Sequence, residues 1–217
     1  MTLLKSKYRP KRNTSSKAKF CFYVRIISHW TYKSHRTYNS YVKLNSKQLR
    51  RSEPTEEEIK DIKRNPIYLV LDNVLDTYNI GSLFRLSDAT GVAKMYICGD
   101  CEYPPSSRIH KAAVGTENWV PWVRYNSTPD AVKDLKKDGV QIISVEQSPI
   151  STSYRLLSTK VQFPCAIVIG HETHGVSKGV LKESDIVVEL PMYGINKSFN
   201  VWGSAAVVLY KILESLH

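Results

Sequence analysis

The segment 67-IYLVLDNVLDTYNIGSLFRLSDATG-91 contains the pattern that decides the architecture of this chain. It begins with a short, continuous apolar run at 67–72, which is typical of parallel strands covered on both faces. A polar connection follows, and then a helix is predicted over residues 79–90. Asn79 stands at its start, where an Asn side chain can cap free backbone N–H groups. A strand, a polar loop and a helix in succession form the repeating unit of an α/β domain.

The same alternation continues along the rest of the chain. Further strands are predicted at 94–98, 119–123, 141–145, 165–170 and 185–190, and further helices at 52–64, 129–139 and 200–215. These elements predict an α/β fold with a mostly parallel sheet and helices on both faces. Since no window approaches the ~18 consecutive apolar residues that a membrane span requires, we expect a soluble protein.

The positive charge of the chain is concentrated near its N-terminus. Residues 1–51 contain 14 of the 31 lysines and arginines and none of the 20 acidic residues, so the remaining residues carry a net charge of −3. We therefore expect a basic, flexible extension over residues 1–50 and a folded domain over residues 51–217. Lys and Arg hold phosphates and tyrosines stack on bases, so the extension could grip single-stranded RNA. It could equally be a transit peptide, or residues 1–41 could be unused by the native protein.

The cysteines argue against a secreted protein. Cys21, Cys98, Cys101 and Cys165 are too few and too scattered for a disulfide scaffold. No secretory signal is evident, so we expect a cytoplasmic location, or an organelle if residues 1–41 are a transit peptide. Cys98 and Cys101 form a CxxC pair near His110, but a zinc site needs about four ligands. We therefore interpret these cysteines as ordinary thiols and predict no metal.

Polar loops that contain glycine follow three of the predicted strands. They are residues 73–91, 170-GHETHGVS-177 and 191-PMYGINKSFN-200. Ligands of open α/β sheets bind beyond the carboxyl ends of the strands, so these loops are the candidate site. Two nucleotide sites are excluded, because the chain has no G-x-G-x-x-G after its first strand and no G-x-x-x-x-G-K-[ST] segment.

Three segments in order, 79-NIGSLFR-85, 170-GHETHG-175 and 191-PMYGINKSFN-200, resemble the motifs of the SpoU/TrmH family of RNA ribose 2′-O-methyltransferases, within the SPOUT superfamily. The resemblance extends over residues 67–213 and includes 111-KAAVGTENWVPW-122. It implies a parallel sheet whose C-terminal part is threaded into a deep trefoil knot. It also implies S-adenosylmethionine bound by the knot backbone, and a homodimer whose interface completes each active site.

The activity implied by this resemblance is methyl transfer from S-adenosylmethionine to a ribose 2′-hydroxyl in RNA. The segment 112-AAVGTENWVPW-122 and the short body favour tRNA over rRNA as the substrate. The alternative is a catalytically weak RNA-binding protein of the same fold. Arg85 would lie beside the target ribose and its phosphate, where a fixed cation favours the oxyanion. Asn79 would position substrate or partner groups, and Glu172 would organise the knot loop. Ser198 and Asn200 would cap the last helix and also face the catalytic centre.

Four further positions are implied to bind the cofactor, namely Val145, Gly170, Leu190 and Phe199. The sequence departs from the family pattern at several places. His171 stands where an amide is expected, Phe199 replaces the usual Leu, and Trp202 follows Asn200 where a smaller residue is common. The two aromatic residues are expected to reshape the cofactor pocket or the dimer contact, and His171 is left without an assigned role.

Overall fold

Seven parallel strands form the centre of the computed structural model, which describes residues 53–216. The strands are β1 (Asn65–Asp72), β2 (Val92–Cys98), β3 (Trp122–Tyr125), β4 (Gln141–Val145), β5 (Thr152–Ser153), β6 (Cys165–Gly170) and β7 (Ile186–Glu189). Their order in the sheet is β3-β2-β1-β6-β4-β7-β5, and each neighbouring pair runs parallel. The predicted parallel α/β sheet is confirmed. The predicted basic extension, residues 1–50, lies outside the described residues.

Helices cover both faces of this sheet. Within residues 53–216 they are α1 (Glu56–Lys60), α2 (Thr77–Ala89), α3 (Ser107–Ala113), α4 (Thr128–Lys137), α5 (Lys178–Glu183) and α6 (Val201–Leu213). Side chains of β1 alternate between the two faces, as the pleat of a strand requires. Leu69 and Leu71 pack in one apolar cluster with α2, α3 and α6, whereas Val70 packs in a second cluster with α4 and α5. The predicted helices on both faces are therefore confirmed.

The apolar character of the strands explains why the sheet lies at the centre. All six residues of β6 are buried, and so are five of the last six residues of β1. Burying one Ile, Leu or Val side chain stabilises a fold by about 1.5–3 kcal/mol, so two such strands side by side contribute strongly. None of the helices among residues 53–216 is long and apolar enough to cross a bilayer.

Several boundaries differ from the prediction for local reasons. Helix α2 begins at Thr77, because the side chain of Asp76 accepts a hydrogen bond from the Tyr78 N–H and caps the helix there. The interpretation of Asn79 as the first residue and cap of this helix is therefore wrong. Strand β3 lies further along the chain than predicted, because a 3-10 turn at Thr116–Asn118 precedes it.

The sequence analysis missed the shortest elements. Helices α3 and α5, strand β5 and the 3-10 segment Tyr154–Thr159 have two to seven residues each. The helix predicted over 52–64 is limited, within the described residues, to Glu56–Lys60, where Thr55 and Glu58 form a capping box. Helices of this length are held by packing rather than by local preference, so a pattern search has little to detect.

Candidate active site

A cleft opens at the carboxyl edge of the sheet, beyond the ends of β4, β6 and β7. It is open to solvent and has a cavity volume of about 180 Å³. Its walls are the strand ends and the loops 170–175 and 190–199. The prediction of a site built by the loops after these strands is therefore consistent with the structure.

All four residues that the resemblance assigns to the cofactor line this cleft. Val145 ends β4, Gly170 ends β6, and Leu190 directly follows β7. Phe199 lies in the loop before α6, with about half of its surface exposed. The parallel sheet brings these positions together because it aligns the carboxyl ends of its strands along one edge.

Gly170 is the tightest point of the cleft wall. A Cβ atom at this position would lie 2.1 Å from the carbonyl carbon of Gly175 and 2.2 Å from the backbone nitrogen of Val176. The loop folds back on itself here, since His171 and Gly175 exchange two backbone hydrogen bonds of 3.1 and 2.8 Å. Only glycine fits, and the backbone therefore forms this part of the wall.

Glu172 joins this loop to the start of α2. Its carboxylate accepts hydrogen bonds from the Leu75 N–H at 3.1 Å, the Asp76 N–H at 3.0 Å and the Asn79 side-chain amide at 2.9 Å. The first N–H groups of a helix have no partner within it, and a negative charge is favoured at that end. Burial alone would raise the pKa of Glu172, but hydrogen bonds from Asn79 and from backbone N–H groups outweigh it and lower this pKa.

Asn79 connects the same carboxylate to the last helix. It is buried, and its side-chain oxygen accepts a hydrogen bond of 3.1 Å from the Asn200 amide. The oxygen of Asn200 in turn accepts from the backbone N–H groups of Trp202 and Gly203 and caps α6. A continuous series of hydrogen bonds thus links Glu172, Asn79 and Asn200. The predicted cap at Asn200 is confirmed, whereas Ser198 lines the cleft and does not cap the helix.

Two carboxylates that the sequence analysis did not select hold the far end of the loop. Asp72, which is 1% exposed, accepts a hydrogen bond of 2.6 Å from the Thr128 hydroxyl and one of 2.7 Å from the Ser177 N–H. Glu146 accepts one of 2.8 Å from the Val176 N–H. Both residues come at or just after the end of an apolar strand, and that position could have identified them.

Arg85 lies elsewhere. Its side chain is exposed on α2 and does not line the cleft, and it has no hydrogen-bond or ion-pair partner among residues 53–216. Tyr78, seven residues earlier, occupies the same exposed side of α2, because seven residues make two helical turns. Within one chain the structure therefore brings four of the five predicted catalytic residues to the cleft or its rim, and Arg85 is the exception.

The other residues considered in the sequence analysis, His171, Cys98 and Cys101, make contacts that support the fold. The Nδ1 atom of His171 accepts a hydrogen bond of 2.9 Å from the Thr173 N–H, which holds the loop. Burial raises the pKa of Cys98 to about 12 and that of Cys101 to about 11, so both stay protonated at neutral pH. Residues 53–216 contain no group of three or more His, Cys, Asp or Glu side chains that could hold a metal ion.

Sequence relatives share most of the folded region. The chain is 31% identical over 149 residues to a Staphylococcus aureus (strain COL) protein described as a TrmH family tRNA/rRNA methyltransferase, covering 69% of this chain and 59% of that protein. It is 29% identical over 159 residues to the 23S rRNA (guanosine-2′-O-)-methyltransferase RlmB of Haemophilus influenzae, covering 73% and 63%. The chain thus spans less than two thirds of the length of these relatives.

Solved structures have the same fold. The A. aeolicus TrmH/SpoU tRNA modifying enzyme superposes with a TM-score of 0.65 at 25% identity, covering 74% of this chain and 83% of that one. The AdoMet-bound rRNA methyltransferase from Sinorhizobium meliloti gives 0.65 at 23%, covering 77% and 62%. The model of the SpoU rRNA Methylase family matches residues 66–210, which include β1, the cleft and most of α6. Because this match extends over most of the chain and over the whole cleft, the chain belongs to the SpoU rRNA Methylase family.

Proposed function

We propose that this protein transfers a methyl group from S-adenosylmethionine to a ribose 2′-hydroxyl in RNA, with tRNA as the better candidate substrate. The observation that carries the proposal is the hydrogen-bonded series Glu172–Asn79–Asn200 at the rim of the cleft. It joins three motifs that are far apart in sequence around one site. The names of the relatives support the same chemistry, because one is a 23S rRNA 2′-O-methyltransferase and another a tRNA/rRNA methyltransferase.

The residues that line the cleft fit the cofactor. Val145, Leu190 and Phe199 supply apolar walls for an adenine ring, and Gly170 supplies backbone at close range because no Cβ fits there. Sites for ligands of this size combine apolar walls with a few polar partners. When bound, S-adenosylmethionine provides a methyl group on a positively charged sulfur. Its presence in related structures, such as the Sinorhizobium meliloti enzyme, supports this assignment.

The ribose hydroxyl is a weak acid, so the site must stabilise the oxyanion as the proton leaves. A fixed guanidinium does this without taking up a proton, and Arg85 is the residue for that role. The phosphate next to the target ribose or water receives the proton. Because Arg85 does not line the cleft of its own chain, we propose that it acts in the cleft of a partner subunit.

An exposed apolar face supports this homodimer. Leu75 and Tyr78 at the start of α2 are 50% and 52% exposed, and Trp202 and Tyr210 on α6 are 44% and 55% exposed. Helices α2 and α6 pack against each other, so these side chains belong to neighbouring elements. An apolar face of this kind on a folded domain typically forms an interface. A two-fold interface here would bring the same helix that carries Arg85 against a second chain.

The domain organisation and the knot are part of the same proposal. Residues 51–217 would form the knotted methyltransferase domain, and residues 1–50 an extension that holds RNA through its Lys, Arg and Tyr residues.

Deleting residues 1–41 should then reduce the dependence of RNA affinity on salt, since fewer phosphates are neutralised. An unchanged salt dependence would show that the extension makes no phosphate contacts. Comparing the location of the tagged full chain and the deleted chain in cells would test whether it is a transit peptide.

The test of the activity is transfer of label from tritiated S-adenosylmethionine to RNA. We expect the purified protein to label the ribose of bulk tRNA, and an Arg85→Ala variant to bind the cofactor but transfer at least about a hundredfold less. Arg108→Ala, on the exposed side of α3, is the matched control and should retain activity. Absence of label from wild-type protein in both tRNA and rRNA would favour the RNA-binding alternative. Full activity of Arg85→Ala would overturn the assigned role.

A further inference from the structure

Two large side chains near the mouth of the cleft are almost fully exposed. Tyr193 is 85% and Ile195 97% exposed, in the loop between β7 and α6. Most other large exposed apolar side chains of the described residues keep about half of their surface covered, as Leu75 and Tyr78 do. Neighbouring apolar side chains that the chain itself does not cover mark a surface that contacts something else.

The segment that follows β5 supplies a cation that interacts with this tyrosine. Strand β5 pairs with β7, with Ser153 opposite Glu189, so the next residues of each strand lie close together. The hydroxyl of Tyr154, and to a lesser degree that of Tyr193, interacts with the Arg155 guanidinium and raises the pKa of Arg155. Among residues 53–216, Arg155 forms no salt bridge with a carboxylate.

The second cation of this surface is Lys197, which lines the cleft itself. Its ammonium group donates one hydrogen bond of 3.3 Å, to the backbone oxygen of Gly194, and otherwise points to solvent. An exposed tyrosine and two cations that form no salt bridge among residues 53–216 are therefore found in the segments next to the cleft. Aromatic rings flanked by cations are the arrangement that binds single-stranded nucleic acid, since rings stack on bases and cations hold phosphates.

At the opposite edge of the sheet, a second tyrosine–arginine pair makes its contacts within the chain and stabilises the fold. The Arg124 guanidinium lies 4.5 Å from the centre of the Tyr103 ring. It donates hydrogen bonds of 2.9 Å to the carbonyl oxygens of Cys101 and Gly99, and the Tyr103 ring also packs against Trp122. This pair has its partners within the chain. Among residues 53–216, the side chains of Arg155 and Tyr193 donate to no backbone carbonyl, and Arg155 interacts only with tyrosine hydroxyls. The Tyr193 ring stays exposed.

We propose that Tyr193, Arg155 and Lys197 bind one unpaired RNA nucleotide next to the target ribose. The Tyr193 ring stacks on its base, and the two cations contact the adjoining phosphates. The inference deepens the proposed function and rests on it, because it names how the RNA substrate is held outside the reacting centre. Tyr193 does not line the cofactor cleft, so its contribution to RNA binding can be separated from cofactor binding.

The experiment measures binding of the full-length protein to a short single-stranded RNA that contains 2-aminopurine, over a series of salt concentrations. Tyr193→Ala should weaken binding about tenfold or more at every salt concentration, as loss of one stacked base does. It should also abolish the quenching of 2-aminopurine fluorescence. Tyr193→Phe keeps the ring and should retain both. Arg155→Gln should instead reduce the magnitude of the slope of log affinity against log salt by about 0.7, the effect of one lost phosphate contact on a single strand.

Tyr103→Ala is the matched control, and we expect it to leave RNA affinity unchanged. S-adenosylmethionine affinity should be unchanged in the Tyr193 variants. Equal RNA affinity of wild type and Tyr193→Ala, with methyl transfer intact, would overturn this inference and leave the proposed function standing. Loss of the dimer in Tyr193→Ala, measured by sedimentation, would show that a second copy of the chain covers this surface and would overturn it as well. Absence of methyl transfer by wild type would instead contradict the proposed function.

Discussion

Asp72 and Gly170 are direct neighbours that serve opposite purposes. They end the adjacent strands β1 and β6 and are partners in the register of the sheet. Asp72 brings a buried carboxylate whose oxygens accept hydrogen bonds from Thr128, Ser177 and the side chain of Asn73. Gly170 brings no side chain, and the cleft begins there.

The carboxyl edge of the sheet thus has two parts. We call the end of β1, which Asp72 fills, the closed half, and the ends of β6, β4 and β7, where the cleft lies, the open half. On the side of β1, a charged side chain fills the edge and ties the loop 170–177 to the sheet. On the side of β6, β4 and β7, the strand ends and the loops that follow them line the cleft instead. A buried carboxylate is tolerable only when it is hydrogen-bonded, and Asp72 meets this condition with three bonds. The open half instead has space for a ligand.

The largest effect on stability is expected from removing the Asp72 carboxylate from the closed half. Asp72→Ala removes the acceptor of the buried Thr128 hydroxyl and of the partly buried Ser177 N–H, so the free energy of unfolding should fall by about 3 kcal/mol. Urea denaturation measures this change in the free energy of unfolding. Asp100→Ala, an exposed carboxylate just after β2, is the control and should change stability by less than about 0.5 kcal/mol. A loss below about 1 kcal/mol for Asp72→Ala would mean that the carboxylate does not hold this edge.

Adding a side chain at Gly170, in the open half, should have the next largest effect, on both stability and cofactor affinity. Gly170→Ala places a Cβ 2.1 Å from backbone atoms, so the loop must move, at a cost of about 1–3 kcal/mol. S-adenosylmethionine affinity, measured by calorimetry, should fall about tenfold or more with it. At Gly179 the nearest atom to an added Cβ is the Cγ of Pro129 at 3.6 Å, so Gly179→Ala should keep affinity and gain up to about 1 kcal/mol. Equal behaviour of the two variants would remove the distinction drawn here.

A smaller effect is expected where Phe199 meets α6. A Cβ at Gly203 would lie 2.9 Å from the Phe199 ring, so Gly203→Ala should displace the ring from the cleft wall. We expect a loss of about threefold to tenfold in cofactor affinity, or about 1 kcal/mol. Phe199→Leu removes the conflicting atoms, so the double variant should recover most of this loss. Additive effects in the double-mutant cycle would mean that the two positions act independently.

The smallest effect concerns the pH dependence of the stability that Glu172 contributes through its hydrogen bonds to α2 and the residues before it. The hydrogen bonds that lower the pKa of Glu172 favour its ionised form in the folded protein. Their contribution to stability is therefore complete above the ordinary Glu pKa of about 4.3 and is lost as pH falls through the lower folded value. The difference in unfolding free energy between wild type and Glu172→Gln should shrink between about pH 5 and pH 3. Glu57→Gln, on the exposed side of α1, should show no such change, and a constant difference for Glu172→Gln would contradict the assignment.

Much of the site could be predicted from strand ends and motifs. Val145, Gly170 and Leu190 stand where apolar runs stop, and a parallel sheet places such positions side by side. The resemblance selected these three positions and Phe199 as cofactor-binding, and Phe199 does not stand at a strand end. The position of Arg85 could not be predicted in the same way. It does not line the cleft of its own chain, and the role proposed for it would require a second chain, which the order of residues in this one does not describe.

Local pattern therefore determined the strands, the family and the edge of the sheet that carries the site. Only the tertiary structure decided which groups meet there. Glu172 bonds to Asn79 across 93 positions of the chain, and Asn79 bonds to Asn200 across 121. Periodicity reports which face of a strand or helix is buried, but a hydrogen bond between distant loops forms only when packing brings donor and acceptor within about 3 Å. That condition depends on the whole fold and has no local signature.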